Sequence, residues 1–479
     1  MLTLQDLPAS TRVQVTDRLT SPDLGRWLAQ VQQVGRCSNP IRVVGSSETI
    51  DPVTGVVLRR YSSASEPDGI TYLRCGNRRR AVCESCSHQY QGDVYHVIMA
   101  GAAGGMKNVP DSVAEHPLVF ATLTAPSFGP VHTSKKPGRR GTQRCRPRSG
   151  DGRKLCPHGR PVWCMAVHDH DDHLVGQPLC RDCYDYLGHL VWQWYAPELW
   201  RRFTIALGRA LAHHLQVSET ACRKLVRVQF AKVAEFQRRG VVHFHALIRL
   251  DGHPTDDDPF PPPACAVPAA VLVELVLQAA AEVSCEASPV DRHDKPRLLR
   301  FGRQVDARPV HGEAHREAVG SADLHPETVA AYVAKYATKA AADLADGHHL
   351  NPHLARLRRL VSKTALRAGI AGLTGPDGPY KGWSRWVDML GFRGHFASKS
   401  RRYSTTLGRL RRARRDHARA RLNKLHAGEP VRVGDDADLG ELQEQTTLVV
   451  GSWRFDGIGW LTAGDAALAA ASAARARDD

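Results

Sequence analysis

"EFQRRGVVHFHALIRLDG", residues 235–252, decides how the rest of this chain is read. Val241 to Leu250 is dominated by β-branched, aromatic and aliphatic residues, the composition of a strand. Arg238, Arg239 and Gly240 form a short Gly-containing loop that closes a hairpin with the segment before it. Alternate side chains of a strand share a face, so in a half-buried strand His243, His245 and Leu247 point one way and Phe244, Ala246 and Ile248 the other. With three residues in the loop, Gln237 falls opposite Val241, Phe236 opposite Val242 and Glu235 opposite His243. A carboxylate thus arrives beside two imidazoles. That set, with further positions open to water or a substrate oxygen, suits a catalytic divalent ion such as Mg²⁺ or Mn²⁺. Gln237, on the same face, is the alternative to Glu235. H-x-H by itself marks many ordinary strands; the opposed carboxylate makes this one a candidate.

Downstream, "YVAKYATK" (332–339) sets Tyr332 and Tyr336 four residues apart in a helical pattern opened by Pro326 and Glu327, so the phenols share a face. Lys335 and Lys339 lie close to it. Burying lysines beside a core stripe would be costly, so a wet, basic helix face is expected. A tyrosine hydroxyl can attack a phosphodiester when a metal ion draws charge from the nonbridging oxygens.

The bulk composition points to the same partner. Across 479 residues, 65 Lys and Arg outnumber 49 Asp and Glu for a net charge of +16, an excess that answers to polyphosphate and makes DNA the first partner to consider. At roughly 100–200 residues per domain the length suggests two to four domains. The N-terminal "MLTLQDLPASTRVQVTDRL" lacks the apolar core of a signal peptide. The most apolar stretch, "AVPAAVLVELVLQAAAEV", carries two glutamates and falls short of the roughly 20 residues of a bilayer span. A cytoplasmic protein without membrane partners is expected. In that compartment the twelve cysteines read as metal ligands before disulfides.

Cys83-x-x-Cys86 gives one zinc knuckle, with Cys37 and Cys75 as its other thiolates. Cys180-x-x-Cys183 gives a second, paired with Cys156 and Cys164; Cys145, His158 and His168 stand as alternatives. Cys222, Cys265 and Cys285 have no such spacing. The zinc sites would present Arg78, Arg79 and Arg80, or the basic loop 135–154, to phosphate. Residues 399–424 hold eleven Lys or Arg against one Asp, and Arg401, Arg402, Arg409, Arg411, Arg412 and Lys339 are further DNA-contact candidates. No GxxxxGK[ST] loop is present, so no nucleoside triphosphate is expected as a ligand, and a host helicase must open the duplex for a host polymerase.

The expected organisation is a helical cap (1–36) and a Cys-rich region of short strands (37–110). A catalytic domain (111–345) follows, with a Cys-rich insertion (145–183) and a Pro/Asp-rich one (251–268), then a basic C-terminal region (346–479). "PELWRRFTIALGRALAHHL" in the catalytic domain reads as a helix opening at Pro197, and "TTLVVGSWRF" with "GIGWLTA" in the C-terminal region as a strand pair before an Ala-rich tail.

In chain order, "FATLTAPS" (120–127), "HFH" (243–245) and "YVAKY" (332–336) resemble the three motifs of the HUH endonucleases. Within these, the chain resembles the RepSA-like rolling-circle replication initiators of actinomycete plasmids and integrative elements. "CGNRRRAVCESC", "GQPLCRDCYDY" and "GFRGHFASKSRRYSTTLG" extend the likeness over most of residues 37–410. The resemblance implies an α+β fold: an RRM-like antiparallel sheet with helices on one face and the histidine strand facing the tyrosine helix, plus zinc-binding insertions and a basic helical C-terminal region. It makes His243 and His245 metal ligands and Tyr332 and Tyr336 nucleophiles, with Lys335 beside them and Tyr336, preceding "ATK", suited to the first nick. The activity implied is metal-dependent, site- and strand-specific DNA nicking through a 5′-phosphotyrosine intermediate, followed by strand transfer. A two-tyrosine transposase or relaxase would share the chemistry, and a noncatalytic zinc-containing DNA-binding regulator would share the basic surface. The departures are the two insertions between motifs.

Overall fold

The computed structural model describes residues 4–51, 53–134, 144–146, 155–311, 324–338, 351–426 and 448–478. Helices α1 (Ala9–Thr20) and α2 (Leu24–Gln33) precede strands β1 (Ile41–Ile50), β2 (Val57–Ser62) and β3 (Thr71–Leu73). Then come α3 (Glu84–Ala103), β4 (Leu118–Leu123), α4 (Tyr186–His214) and α5 (Glu219–Leu225). The hairpin β5 (Arg227–Phe236) and β6 (Val242–Asp251) leads to α6 (Ala269–Glu282), β7 (Ser284–Ala287), β8 (Arg297–Arg300) and β9 (Val305–Pro309). The remainder is α7 (Pro326–Ala337), α8 (Pro352–Ile370), β10 (Ala397–Lys399), α9 (Leu407–His426), β11 (Leu448–Ile458) and α10 (Ala463–Asp478).

Two compact units result. One joins residues 1–93 to 406–479 and the other is 94–405. In the first, β1 pairs antiparallel with β11 along one edge and with β2 and β3 along the other. β11 is a single strand where the sequence suggested a pair. Gly457 lies opposite Arg42 inside the ladder, and the Arg42 guanidinium holds Asp456 at 2.8 Å, so Asp-Gly does not turn the chain here. Trp27, Tyr72 and Trp460 make the core, and Arg18 of α1 pairs with the buried Asp465 of α10 at 2.7 Å. Residues 84–103, expected as part of a short-strand region, form the 20-residue α3. Its part from Val94 on belongs to the second unit, where Val94, Val97, Ile98 and Ala102 recur at helical spacing and are buried.

The second unit is built on an antiparallel five-stranded sheet of order β10-β5-β6-β4-β9. Phe244, Ala246 and Ile248 of β6 and Val119, Ala121 and Leu123 of β4 join one core with Leu199 and Phe203 of α4 and Leu272 and Val276 of α6. α4 starts eleven residues earlier than the sequence suggested, at Tyr186, with Pro197 inside it. The Asp185 carboxylate accepts the Gly188 N–H at 2.7 Å and starts the helix, and Leu190 to Trp194 supply buried apolar surface before the proline. The tyrosine helix α7 lies on the opposite face, so helices flank both faces and β6 is buried almost throughout, not half-buried as the sequence suggested. No helix among the described residues is long and apolar enough to cross a membrane.

The β5–β6 turn is held from several sides. Gly240 has φ +78°, and a Cβ there would meet Leu354, Leu357 and Leu390 at 2.7–3.1 Å. Its carbonyl accepts from Gln193 Nε2 at 3.0 Å and faces His189 Nε2 at 3.2 Å, while the Arg239 carbonyl faces His353 Nε2 at 3.1 Å. Gln193 Oε1 accepts the Val242 N–H at 3.0 Å. Tyr184 and Tyr186 hydroxyls lie 3.0 and 3.2 Å from the Nδ1 atoms of His189 and His353. Burial drives both histidines below the usual range, His353 to about 4, so each is a neutral ring donating through Nε2 to a turn carbonyl.

Candidate active site

The hairpin register places Glu235 opposite His243 and Val233 opposite His245. Glu235 Oε2 lies 2.8 Å from His243 Nε2 and 3.0 Å from His245 Nε2, and the two Nε2 atoms are 3.1 Å apart. Burial works against an ionised Glu235, yet the two imidazoles outweigh it and hold the carboxyl at about 2. His245 is itself pushed down, chiefly by burial, and so keeps a free ring lone pair at neutral pH. Three electron-pair donors this close repel one another unless a proton or a cation lies among them. The donor set, two imidazoles and a carboxylate, fits a divalent ion. Gln237 is not part of it: its side-chain oxygen accepts from Arg239 Nε at 2.8 Å.

Strand β4 orients this site. Thr122 pairs with His245 across the sheet, and its Oγ1 lies 3.0 Å from His245 Nδ1. With the Nδ1 proton donated there, Nε2 turns its lone pair toward Glu235. Phe120, on the same face, stacks on His245 at 5.7 Å and meets Tyr332 edge-on at 6.1 Å. From α7, the rings of Tyr332 and Tyr336 lie 5.2 and 5.9 Å from that of His245 and 4.8 Å from each other. Burial first, then the neighbouring phenol and the Glu235 charge, raise the Tyr332 hydroxyl above its ordinary value. Burial and Glu235 raise Tyr336. Both phenols are therefore protonated at neutral pH, and Lys335 is exposed on the same helix.

A family described as "RepSA: Replication initiator protein, pSAM2" matches residues 23–474. The chain belongs to the RepSA family of replication initiators. A replication initiator protein of Streptomyces ambofaciens is 39% identical over 456 residues, covering 94% of this chain and 90% of that protein. No solved structure matches the chain.

This RepSA-family chain also gathers its cysteines. Cys37, Cys75, Cys83 and Cys86 converge, with Cys37 Sγ 3.7 Å from the sulfurs of both Cys83 and Cys86. The second site requires a correction: Cys156, Cys180 and Cys183 are joined by His158, and Cys164 lies elsewhere. A tight turn, with Gly159 N–H donating to the Cys156 carbonyl at 2.9 Å, folds His158 back to 3.2 Å from Cys183 Sγ. Cys164 instead bridges through its backbone to Arg146, beside Cys145. Either group could hold zinc.

The basic candidates are dispersed. Arg79 binds Asn77 and Arg80 pairs with Glu84, whereas Arg409, Arg411 and Arg412 are exposed on α9. Arg78 is partly buried; Arg401 and Arg402 are exposed in the turn after β10. Lys339 and residues 135–143 and 147–154 of the basic loop lie outside the described residues. The sequence reading did not single out Phe120, Thr122, His189, Gln193 or His353. The alternation of "FATLTAPS" and the polar pair His189 and Gln193, four apart in an apolar helix, were the signals available.

Proposed function

We propose that this initiator nicks one strand at a plasmid replication origin and remains joined to the cut 5′ end. The observation that carries this reading is the placing of both phenols against His245, Tyr336 stacked on it and Tyr332 edge-on, with His245 itself 3.0 Å from Glu235. A Mg²⁺ or Mn²⁺ ion held by His243, His245 and Glu235 would draw charge from the scissile phosphate and offset the carboxylate that opposes phenol ionisation. Tyr336 attacks first: its Oη–P bond forms as the P–O3′ bond breaks, the phenol gives up its proton, and the departing 3′ oxygen takes one up. The product is a 5′-phosphotyrosine ester and a free 3′-hydroxyl for a host polymerase. Tyr332, on the same helix face, serves the second transfer that rejoins the displaced strand.

Beside the hairpin turn, a groove of about 880 Å³ is bordered by Arg238, Arg303 and Arg146. It offers single-stranded DNA a path toward the site, with the exposed arginines of α9 as further backbone contacts and zinc as structural support. The fold on this reading is the HUH arrangement, and a host helicase opens the duplex.

The test incubates purified full-length protein with single-stranded origin DNA, in Mn²⁺ or in EDTA. The expected result is a denaturant-resistant adduct that needs the metal and disappears in the Tyr332→Phe, Tyr336→Phe double variant, with Tyr336→Phe alone losing the first nick. Tight binding without any adduct would overturn the nickase in favour of a DNA-binding regulator.

A further inference from the structure

We infer that His132, Cys145, Cys164 and His168 form a third zinc site, separate from the two cysteine-rich knuckles, that braces one wall of the groove beside the catalytic hairpin. The four ligand atoms all lie within 4.8 Å of one another. His132 Nδ1 is 3.2 Å from His168 Nε2, Cys164 Sγ is 3.4 Å from His168 Nε2, and Cys145 Sγ is 3.8 Å from His132 Nδ1. In a tetrahedral zinc site, ligand bonds of about 2.0–2.3 Å set two nitrogens about 3.3 Å apart and a nitrogen and a sulfur about 3.6 Å apart. The observed spacings bracket these values. Pairwise hydrogen bonds explain such contacts two at a time; four atoms converging on one point is the shape of a shared ion.

The surrounding shell is built for a metal as well. His168 is buried, and its Nδ1 lies 2.6 Å from Asp172 Oδ2, whose other oxygen accepts the Leu174 N–H at 2.8 Å. A carboxylate that takes the Nδ1 proton leaves Nε2 as a lone pair aimed at the centre. The Thr133 N–H points at Cys145 Sγ at 3.2 Å, as it would toward a thiolate. Among the described residues this region has only isolated bridges, Val131 to Pro178, Ser134 to His168, Arg146 to Cys164 and Leu155 to Pro161, in place of a sheet. So little regular pairing gives an ion a cross-linking task. Val131, His132, Arg146 and Gly176 all line the groove, so the ion would hold that part of its wall in place.

The inference does not depend on nicking, and its readout is metal content. Native mass spectrometry of the full-length protein, purified with zinc, should count an ion for each of the three Cys-containing groups, and Cys145→Ser with Cys164→Ser should remove one. Cys180→Ser with Cys183→Ser should remove a different one, leaving the Asp172-dependent ion in place. If the Cys145/Cys164 variant fails to fold, Asp172→Asn decides: it should bind the same number of ions at saturation but release one to a chelator at about 10–100-fold lower chelator concentration. A wild-type protein with only two zinc ions, or an Asp172→Asn protein that releases its ions as the wild type does, would overturn the site.

Discussion

Lys232 sits on β5 one residue from the face that carries Glu235, yet it points the other way, into the aromatic core, with its Nζ 4.4 Å from the Phe244 ring and 5.5 Å from Trp200. It is 4% exposed, and burial pushes its ammonium down to about 7. Between about 7 and its ordinary value the unfolded chain holds a proton that the folded chain does not, so this residue makes stability rise with pH across that window; below it the full burial cost applies. Lys232→Met should therefore be more stable than wild type at pH 7, with the gap in urea midpoint, read from the buried tryptophans of α4, closing toward pH 10. Parallel curves would sink the argument. At this scale the site was partly legible. Glu235, His243 and His245 follow from counting residues across one loop, which is local arithmetic. Thr122 could not be reached that way, because its partner lies 123 residues away. His158 joins Cys156 through the tight turn closed by Gly159, which thiolate spacing alone does not reveal.

Among the elements, the β5–β6 hairpin depends on α4 more than on its own loop. Gln193 is fully buried and spans the turn, giving a proton to the Gly240 carbonyl and accepting the Val242 N–H just before His243. In Gln193→Leu the Gly240 carbonyl keeps His189, but the Val242 N–H is left buried without a partner. The expected loss is about 1–3 kcal/mol in urea unfolding, with weaker Mn²⁺ binding at the metal site proposed for His243. An unchanged midpoint and unchanged Mn²⁺ affinity would show that the hairpin positions itself. Elements with a local signal, such as the hairpin and α7 with its Pro326 start, were readable from sequence. The entry of α4 was hidden because Pro197 looks like a helix start, while the true cap at Asp185 lies within the cysteine cluster region. Asp456-Gly457 has the composition of a turn within β11, and the long pairing of β11 with β1 overrides that preference.

For the whole molecule, the unit made of residues 1–93 and 406–479 is closed by both ends of the described chain. β11 pairs along the full length of β1, and Trp460 both packs on Trp27 and donates its Nε1–H to the Cys37 carbonyl at 3.1 Å, behind the first zinc candidate. A chain truncated after Thr405 should lose hydrogen-exchange protection in β1 and the capacity to take up zinc proposed for Cys37, Cys75, Cys83 and Cys86, while the 94–405 sheet keeps its protection. Protected β1 amides in the truncated chain would show that residues 1–93 fold without the distant segment. Sequence alone grouped Cys37, Cys75, Cys83 and Cys86 and marked the basic helix, but not this closure, because strand pairing between residues some 400 positions apart leaves no local pattern. It also orders events on the ribosome: β1 emerges early and waits for β11, about 400 residues later, or roughly 20–80 s of synthesis. Until then its edge is open to any other strand, so a nascent-chain chaperone has its longest task at the very start of the polypeptide.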